Sequence, residues 1–227
     1  MEQFASIRTW VFDLDNTLYP PSARLFDQIE VKMEAWITRR IGTDAAGAKR
    51  LRADYWAEHG TTLAGLMAEH DIDPWDFLDD VHDIDMRHLE PASDLAHRIR
   101  ALPGRRIGYT NGDAPYARRV LAARGLEDTF DAVYGIEHAG FRPKPARAAF
   151  EQVFGLDGLA PETGAMFEDD PRNLAAPHAM GMRTVFVAPE PHDADHIHHH
   201  TDDLTRFLSQ VLDAAFPEHP APPSSAA

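Results

Sequence analysis

Trp10-Val11-Phe12-Asp13-Leu14-Asp15-Asn16-Thr17-Leu18-Tyr19 is the stretch on which the reading of the chain turns. A short apolar run of strand character ends in two carboxylates two positions apart. Both cannot be buried without a partner, because each ionised group would then need several kcal/mol of compensation. A divalent cation supplies that compensation, and a solvated turn following a strand is the alternative. The rest of the chain decides between them.

Working outward, four further apolar runs follow: Arg106 to Thr110, Ala132 to Ile136, Ala165 to Glu168 and Thr184 to Ala188. They alternate with helical stretches, the pattern of a parallel α/β sheet. Between the first and second runs lie roughly 90 residues, far more than a crossover needs. That insert reads as helical. Phe26, Ile29, Met33, Trp36, Ile37 and Ile41 recur at helical spacing up to Gly42, and a second helix is expected over about Ala45 to His59, before Gly60. Asp73-Pro74 marks another helix start, and Ser93 reads as the N-cap of a helix running to Leu102.

Further on, Asp113 to Pro115 opens a helix that stops near Gly125, and Lys144-Pro145 opens one that stops at Gly155. A helix from about Pro171 is expected to bend or restart at Pro177. Thr201-Asp202-Asp203 caps a closing helix over Leu204 to Ala215. The expected organisation is thus a core from 1–19 and 91–216, a helical domain at 20–90, and a disordered Pro-, Ala- and Ser-rich tail at 217–227.

With 227 residues there is room for a core plus a smaller appended domain. Lys and Arg number 22 against 37 Asp and Glu, a net charge of -15, which argues against tracking a nucleic acid or an anionic membrane. A small anionic substrate remains compatible if a metal and local Lys or Arg reverse the field at its site. Cysteine is absent, so disulfides and thiolate chemistry are excluded. No run approaches a membrane span or a signal peptide, so a cytoplasmic protein is expected. The run His196-Ile197-His198-His199-His200 lacks the spacing of a zinc site and is read as structural, in a loop.

In parallel α/β sheets ligands collect at the carboxyl ends of the strands. Polar groups stand at or just beyond that end after four of the five runs: Asp13 and Asp15, Thr110-Asn111-Gly112-Asp113, Arg142-Pro143-Lys144-Pro145 and Glu168-Asp169-Asp170. On these residues the chain resembles the haloacid dehalogenase-like hydrolase superfamily. The four motifs stand in order as FDLDNTL at Phe12 to Leu18, YTNG at Tyr109 to Gly112, RPKP at Arg142 to Pro145 and FEDDPRN at Phe167 to Asn173. The resemblance implies a Rossmann-like three-layer core with a parallel sheet, and a helical cap inserted after the first strand.

It also implies roles. Asp13 becomes the nucleophile that forms an aspartyl-phosphate, and Asp15 the general acid and then base. Thr110, Asn111 and Gly112 would bind phosphoryl oxygens, and Lys144 would neutralise the nucleophile and the phosphoryl charge. Mg2+ would be held by Asp13, the backbone carbonyl of Asp15, and Asp169. Asp170 would stand behind these ligands, and Asn173 would brace the fourth motif.

An Asp at position 15 suits a phosphate ester better than a carbon–halogen bond, which has no alkoxide to protonate. Tyr19-Pro20, His59 to Leu66 and Val81 to Asp85 resemble the pyrimidine 5'-nucleotidase branch, implying a nucleoside monophosphate such as UMP or CMP as the small-molecule partner. The alternatives are a phosphatase or phosphomutase acting on sugar phosphates, then a dehalogenase or a non-catalytic binding module. Among cap residues, Trp36, Tyr55, Trp56, Trp75 and Phe77 could stack on a base or form core, and His59 and His82 could face the pocket or the surface.

Overall fold

The computed structural model describes residues 1–217. Six strands are present there: β1 (Thr9–Phe12), β2 (Arg105–Tyr109), β3 (Ala132–Tyr134), β4 (Gly164–Glu168), β5 (Arg183–Val187) and β6 (His199–Thr201). They form one sheet in the order β3-β2-β1-β4-β5-β6, and every neighbouring pair is parallel. The four residues of β1 are all buried, as befits an interior strand of a sheet covered on both faces.

Alternation along β1 sends Trp10 and Phe12 to one face and Val11 to the other. On the first face Phe12 stacks on Phe167 with ring centroids 4.6 Å apart. That face is covered by Leu95 and Ile99, Val120 and Leu121, and Phe207, Leu208 and Val211. They come from α5 (Ser93–Ala101), α6 (Ala114–Ala123) and α9 (Leu204–Ala215). On the opposite face α7 (Arg147–Asp157) and α8 (Arg172–Ala179) supply Phe150, Val153, Phe154 and Leu174 against Val11, Ile107 and Met166. This is the three-layer Rossmann-like α/β fold.

Between β1 and α5 run four α-helices: α1 (Leu25–Ile41), α2 (Ala45–His59), α3 (Thr62–His70) and α4 (Pro74–Val81). Their ends follow local chemistry. Gly42 closes α1 with a φ of 79°, in the left-handed region open to glycine. The side chains of Asp44, Thr61 and Asp73 accept hydrogen bonds from Gly47, Ala64 and Trp75 backbone N–H groups at the starts of α2, α3 and α4. A Cβ at Gly65 would lie 2.3 Å from the Tyr55 side chain, so glycine there is what lets α3 press against α2. Ile29, Trp36, Ile37, Tyr55, Leu66 and Phe77 fill the middle of the insert.

Several boundaries differ from the sequence reading. Ser93 is the first residue of α5 and makes no capping bond; Ala92 holds the cap position. The helix expected to stop at Gly155 continues to Asp157, because Gly158, at a φ of 76°, makes the left-handed exit. Pro177 lies inside α8 without restarting it, since the helix ends two residues later and little hydrogen bonding remains to be lost. The helix α3 and the strand β6 are additions to the elements expected from the sequence, and β6 places His199 and His200 in a strand rather than a loop. The expected tail lies, except for Pro217, outside the described residues. Among those residues no helix is long and apolar enough to cross a membrane.

Candidate active site

The chain reverses its direction of travel across the sheet between β1 and β4, which places a ligand crevice beyond their carboxyl ends. Phe12 is registered with Phe167, and the Asp13 N–H donates to the Phe167 carbonyl at 2.9 Å. Asp13, one residue beyond β1, and Glu168, the last residue of β4, therefore stand side by side at the carboxyl edge of the sheet. After Asp15, Asn16 takes up a φ of 59°, a conformation asparagine tolerates. The turn brings the Thr17 hydroxyl to Asp13 Oδ2 at 3.1 Å and the Asn16 amide to Asp169 Oδ2 at 3.3 Å.

Lys144 arrives from the loop after β3. Its ammonium donates to Asp13 Oδ1 and Glu168 Oε2, both at 2.7 Å, and to the Tyr109 carbonyl at 3.2 Å. The loop is held from the β2 side: Asn111 donates to the Lys144 carbonyl at 3.1 Å and accepts from its N–H at 2.8 Å. Asp13, Lys144 and Glu168 are all buried. Asp169 completes the group, since Asp13, Glu168 and Asp169 each offer a carboxylate oxygen within 4.8 Å of the others.

Three carboxylates face one ammonium, so two negative charges have no local counterion. Burial pushes the Asp13 carboxyl up to about 8, with the Glu168 charge adding to the effect and Lys144 opposing it. Burial, then the charges of Asp13 and Glu168, push Asp169 up to about 9. Burial alone would lower Lys144, yet its two carboxylate partners hold it well above the usual lysine value. A compact all-oxygen donor set with two charges to spare fits a hard divalent cation such as Mg2+.

Each residue singled out in the sequence can now be located. Asp13, Lys144 and Asp169 converge at one point. The Asp15 side chain is outside the carboxylate cluster and accepts hydroxyl hydrogen bonds from Tyr19 at 2.6 Å, Tyr116 at 2.8 Å and Thr110 at 3.2 Å. Thr110 also accepts from the Gly112 N–H at 2.9 Å, so the hydroxyl and this N–H are engaged with the protein itself. The Asn111 amide is likewise occupied in holding Lys144. Asn173 donates to Glu168 Oε1 at 3.2 Å, and Asp170 pairs with Arg172.

Glu168 carries no assigned role in the sequence reading, yet it belongs to the centre. The signal was available: a glutamate ending a wholly buried strand needs a cation beside it. Tyr19 and Tyr116 were also missed as partners of Asp15, and for them only the four-residue spacing of Tyr19 was readable.

The centre opens into a cavity of about 230 Å³ lined on the sheet side by Asp13, Asp15, Asn111, Lys144 and Asp169. On the side of the helical insert Phe26, Ile29, Met33, Leu63, Phe77 and Val81 line it. Of the aromatic residues weighed as base-stacking groups, Trp36 and Phe77 pack edge to face at 5.1 Å inside the insert, and Tyr55 bonds to His70. Trp56 lies under the Arg172 guanidinium at 4.3 Å, and Trp75 packs against Phe141. His82 lines the cavity, and His59 packs on Tyr55.

The family described as haloacid dehalogenase-like hydrolase matches the chain over residues 7–181. Phosphate metabolism protein 8 of Saccharomyces cerevisiae is 28% identical over 195 residues, taking in 77% of this chain and 60% of that protein. The chain thus spans about 60% of the length of this curated relative. A HAD phosphatase from Thermococcus onnurineus shares the fold with a TM-score of 0.63 at 16% identity, over 92% of this chain and 99% of that one. A 2-haloacid dehalogenase from Pseudomonas syringae pv. Tomato does so with a TM-score of 0.57 at 19% identity, over 91% and 98%. At such identities the likeness is one of fold, and the fold carries both kinds of enzyme.

Proposed function

Because the chain belongs to the haloacid dehalogenase-like hydrolases, we propose that it is a magnesium-dependent phosphomonoesterase working through an aspartyl-phosphate on Asp13. The observation that carries the reading is the buried group of Asp13, Lys144, Glu168 and Asp169 opening into the cavity. Asp13, Glu168, Asp169 and the Asp15 carbonyl would hold Mg2+, which supplies positive charge against the phosphoryl oxygens.

A carboxylate oxygen of Asp13 attacks phosphorus as the bond to the leaving oxygen breaks, and that oxygen departs with the electron pair. Asp15 gives it a proton. Asp15, now a carboxylate, then takes a proton from water as the water oxygen attacks phosphorus, releasing phosphate and restoring Asp13. Lys144 holds Asp13 oriented and offsets charge as it develops. The acid at position 15 favours an ester over a carbon–halogen substrate, because a halide leaves without a proton.

The helical insert acts as a cap that closes over the leaving group and excludes water. Its apolar wall suits a leaving group with a flat apolar face better than a polyol, in line with a pyrimidine nucleoside 5'-monophosphate such as UMP or CMP. The name of the yeast relative, which refers to phosphate metabolism, agrees with the reaction class. The test is phosphate release from a panel of esters with Mg2+ present. Turnover of UMP or CMP ahead of sugar phosphates is expected. Ready turnover of sugar phosphates with none of nucleotides overturns the substrate, and release from no ester overturns the reaction.

A further inference from the structure

Asp15 is held by more donors than a residue free to approach a leaving group would need. Oδ1 accepts from both Tyr19 and Tyr116, and Oδ2 accepts from Thr110. With two donors on Oδ1, a proton carried by this acid is confined to Oδ2. Both tyrosines are buried, and neither lines the cavity. Each phenol donates its own hydroxyl hydrogen to Asp15.

Tyr116 is in turn fixed by the insert. Its ring stacks on the imidazole of His82, with centroids 4.2 Å apart and planes within 13°. His82 caps the end of α4, and its Nδ1 is 2.5 Å from Asp113 Oδ2. Asp113 also accepts from the Tyr116 N–H at 2.6 Å, and Arg119 donates to the His82 carbonyl at 2.6 Å. A Cβ at Gly112 would lie 2.8 Å from the Tyr116 ring, so the glycine of the TNG turn makes room for that ring. The insert therefore reaches the acid through an unbroken series of contacts, from His82 to Tyr116 to Asp15.

We propose that Tyr19 and Tyr116 are positioning residues for Asp15, and that His82 sets Tyr116, so that proton delivery to the leaving oxygen depends on where the insert sits. The proposal rests on the phosphomonoesterase reading. It demands more than core packing by the two rings, because packing alone would not distinguish leaving groups by their need for a proton.

The experiment compares kcat/KM for p-nitrophenyl phosphate, whose leaving oxygen departs without protonation, with kcat/KM for the best alkyl phosphate of the panel. This ratio reports the steps up to transfer onto Asp13 and leaves out the later attack by water, which both esters share. Tyr116→Phe is expected to lower the alkyl value about 10- to 100-fold, part of the ~10²–10⁴ that general acid catalysis supplies. The aryl value should fall no more than about threefold. Tyr19→Phe should behave alike. His82→Ala should follow Tyr116→Phe, and His82→Asn, which keeps a donor for Asp113, should recover part of the loss.

Retained aryl turnover certifies that each variant is folded. Equal losses on both esters, or no loss on either in both tyrosine variants, overturn the inference while leaving the phosphomonoesterase reading intact. A wild type that releases phosphate from neither ester overturns that reading, and the inference with it.

Discussion

Two stretches of this protein gather side chains that ligate metals, and they do opposite things with them. Around Asp13 three carboxylates aim at one point with a single ammonium among them. In the run His196–His200 each ring is occupied separately. His196 Nε2 meets the Pro171 carbonyl at 2.8 Å, His198 Nδ1 meets the Thr184 hydroxyl at 2.8 Å, and His200 Nε2 meets the Ala188 carbonyl at 2.8 Å. His199 and His200 occupy successive positions of β6 and so face opposite sides, His199 against Phe4 and Phe207, His200 against Phe186. Residue type alone does not make a metal site. Convergence and charge left uncompensated do.

The largest effect that could break this contrast is on turnover. Asp13→Asn should reduce phosphate release by on the order of 10⁴-fold, because it removes the carboxylate proposed to attack phosphorus while the neighbours stay in place. Turnover at the level of the wild type would show that the acidic centre is as structural as the histidines.

Next comes stabilisation by metal. Mg2+ at about 100 times its dissociation constant should stabilise the fold by ~2.7 kcal/mol, seen as a rise in Tm. Asp169→Asn should lose most of that gain, and His198→Ala and His200→Ala none of it. A gain lost in the histidine variants instead would reverse the comparison.

The same contrast should appear in stability against pH, measured by thermal unfolding in EDTA. Asp13 and Asp169, raised to about 8 and 9, keep protons that the unfolded chain gives up, so their contribution is present at low pH and is lost as pH rises between about 4 and 9. Burial, aided by the Arg183 charge, lowers His199 to about 4, so the unfolded chain binds the extra proton and stability rises between about pH 4 and 6.5. Burial works against ionised Asp113, Asp131 and Asp170, yet hydrogen bonds from His82, Arg106 and Arg172 hold them below the usual carboxylate range. Their contribution is lost only in acid. From pH 7 to 9 stability should therefore fall, and saturating Mg2+ should flatten the slope. A slope unchanged by Mg2+ would argue against metal at the carboxylates.

The smallest effect sharpens the other half of the contrast. His200→Gln should leave turnover unchanged and cost no more than about 1 kcal/mol, the usual worth of one side-chain hydrogen bond.

Much of this arrangement is readable in the residues, and the gaps have physical causes. The runs at Thr9, Arg106, Ala165 and Thr184 are apolar because most of their strand residues are buried, and the half-buried edge strand at Ala132 keeps the apolar Ala132 and Val133, so all five could be found. Gly42, Asp73 and Asp113 mark helix ends through backbone needs that are local. The strand β6 escapes because it is three residues at a sheet edge, where only one neighbour has to be satisfied and polar side chains are tolerated. Gly155 misleads because glycine is compatible with a helix interior, and only Gly158 must adopt a positive φ. Glu168 was passed over because Glu-Asp-Asp offers three adjacent acids, and which of them joins Lys144 depends on the register of β4 against β1. The engagement of Thr110 and Asn111 with Asp15 and Lys144 is likewise tertiary, joining residues far apart in the chain.

The position of β1 has a consequence for how the protein comes into being. The strand that leads into Asp13 is the earliest of the six in the chain, yet Thr9 pairs with Arg105 on one side and Gly164 on the other. Both partners emerge from the ribosome long after it. Until β4 is synthesised, β1 waits with an edge open to other chains, and long loops must close before its pairing is rewarded. The lysine and the fourth-motif acids join late as well, so the buried group around Asp13 cannot come together in a nascent chain before most of the sheet has assembled.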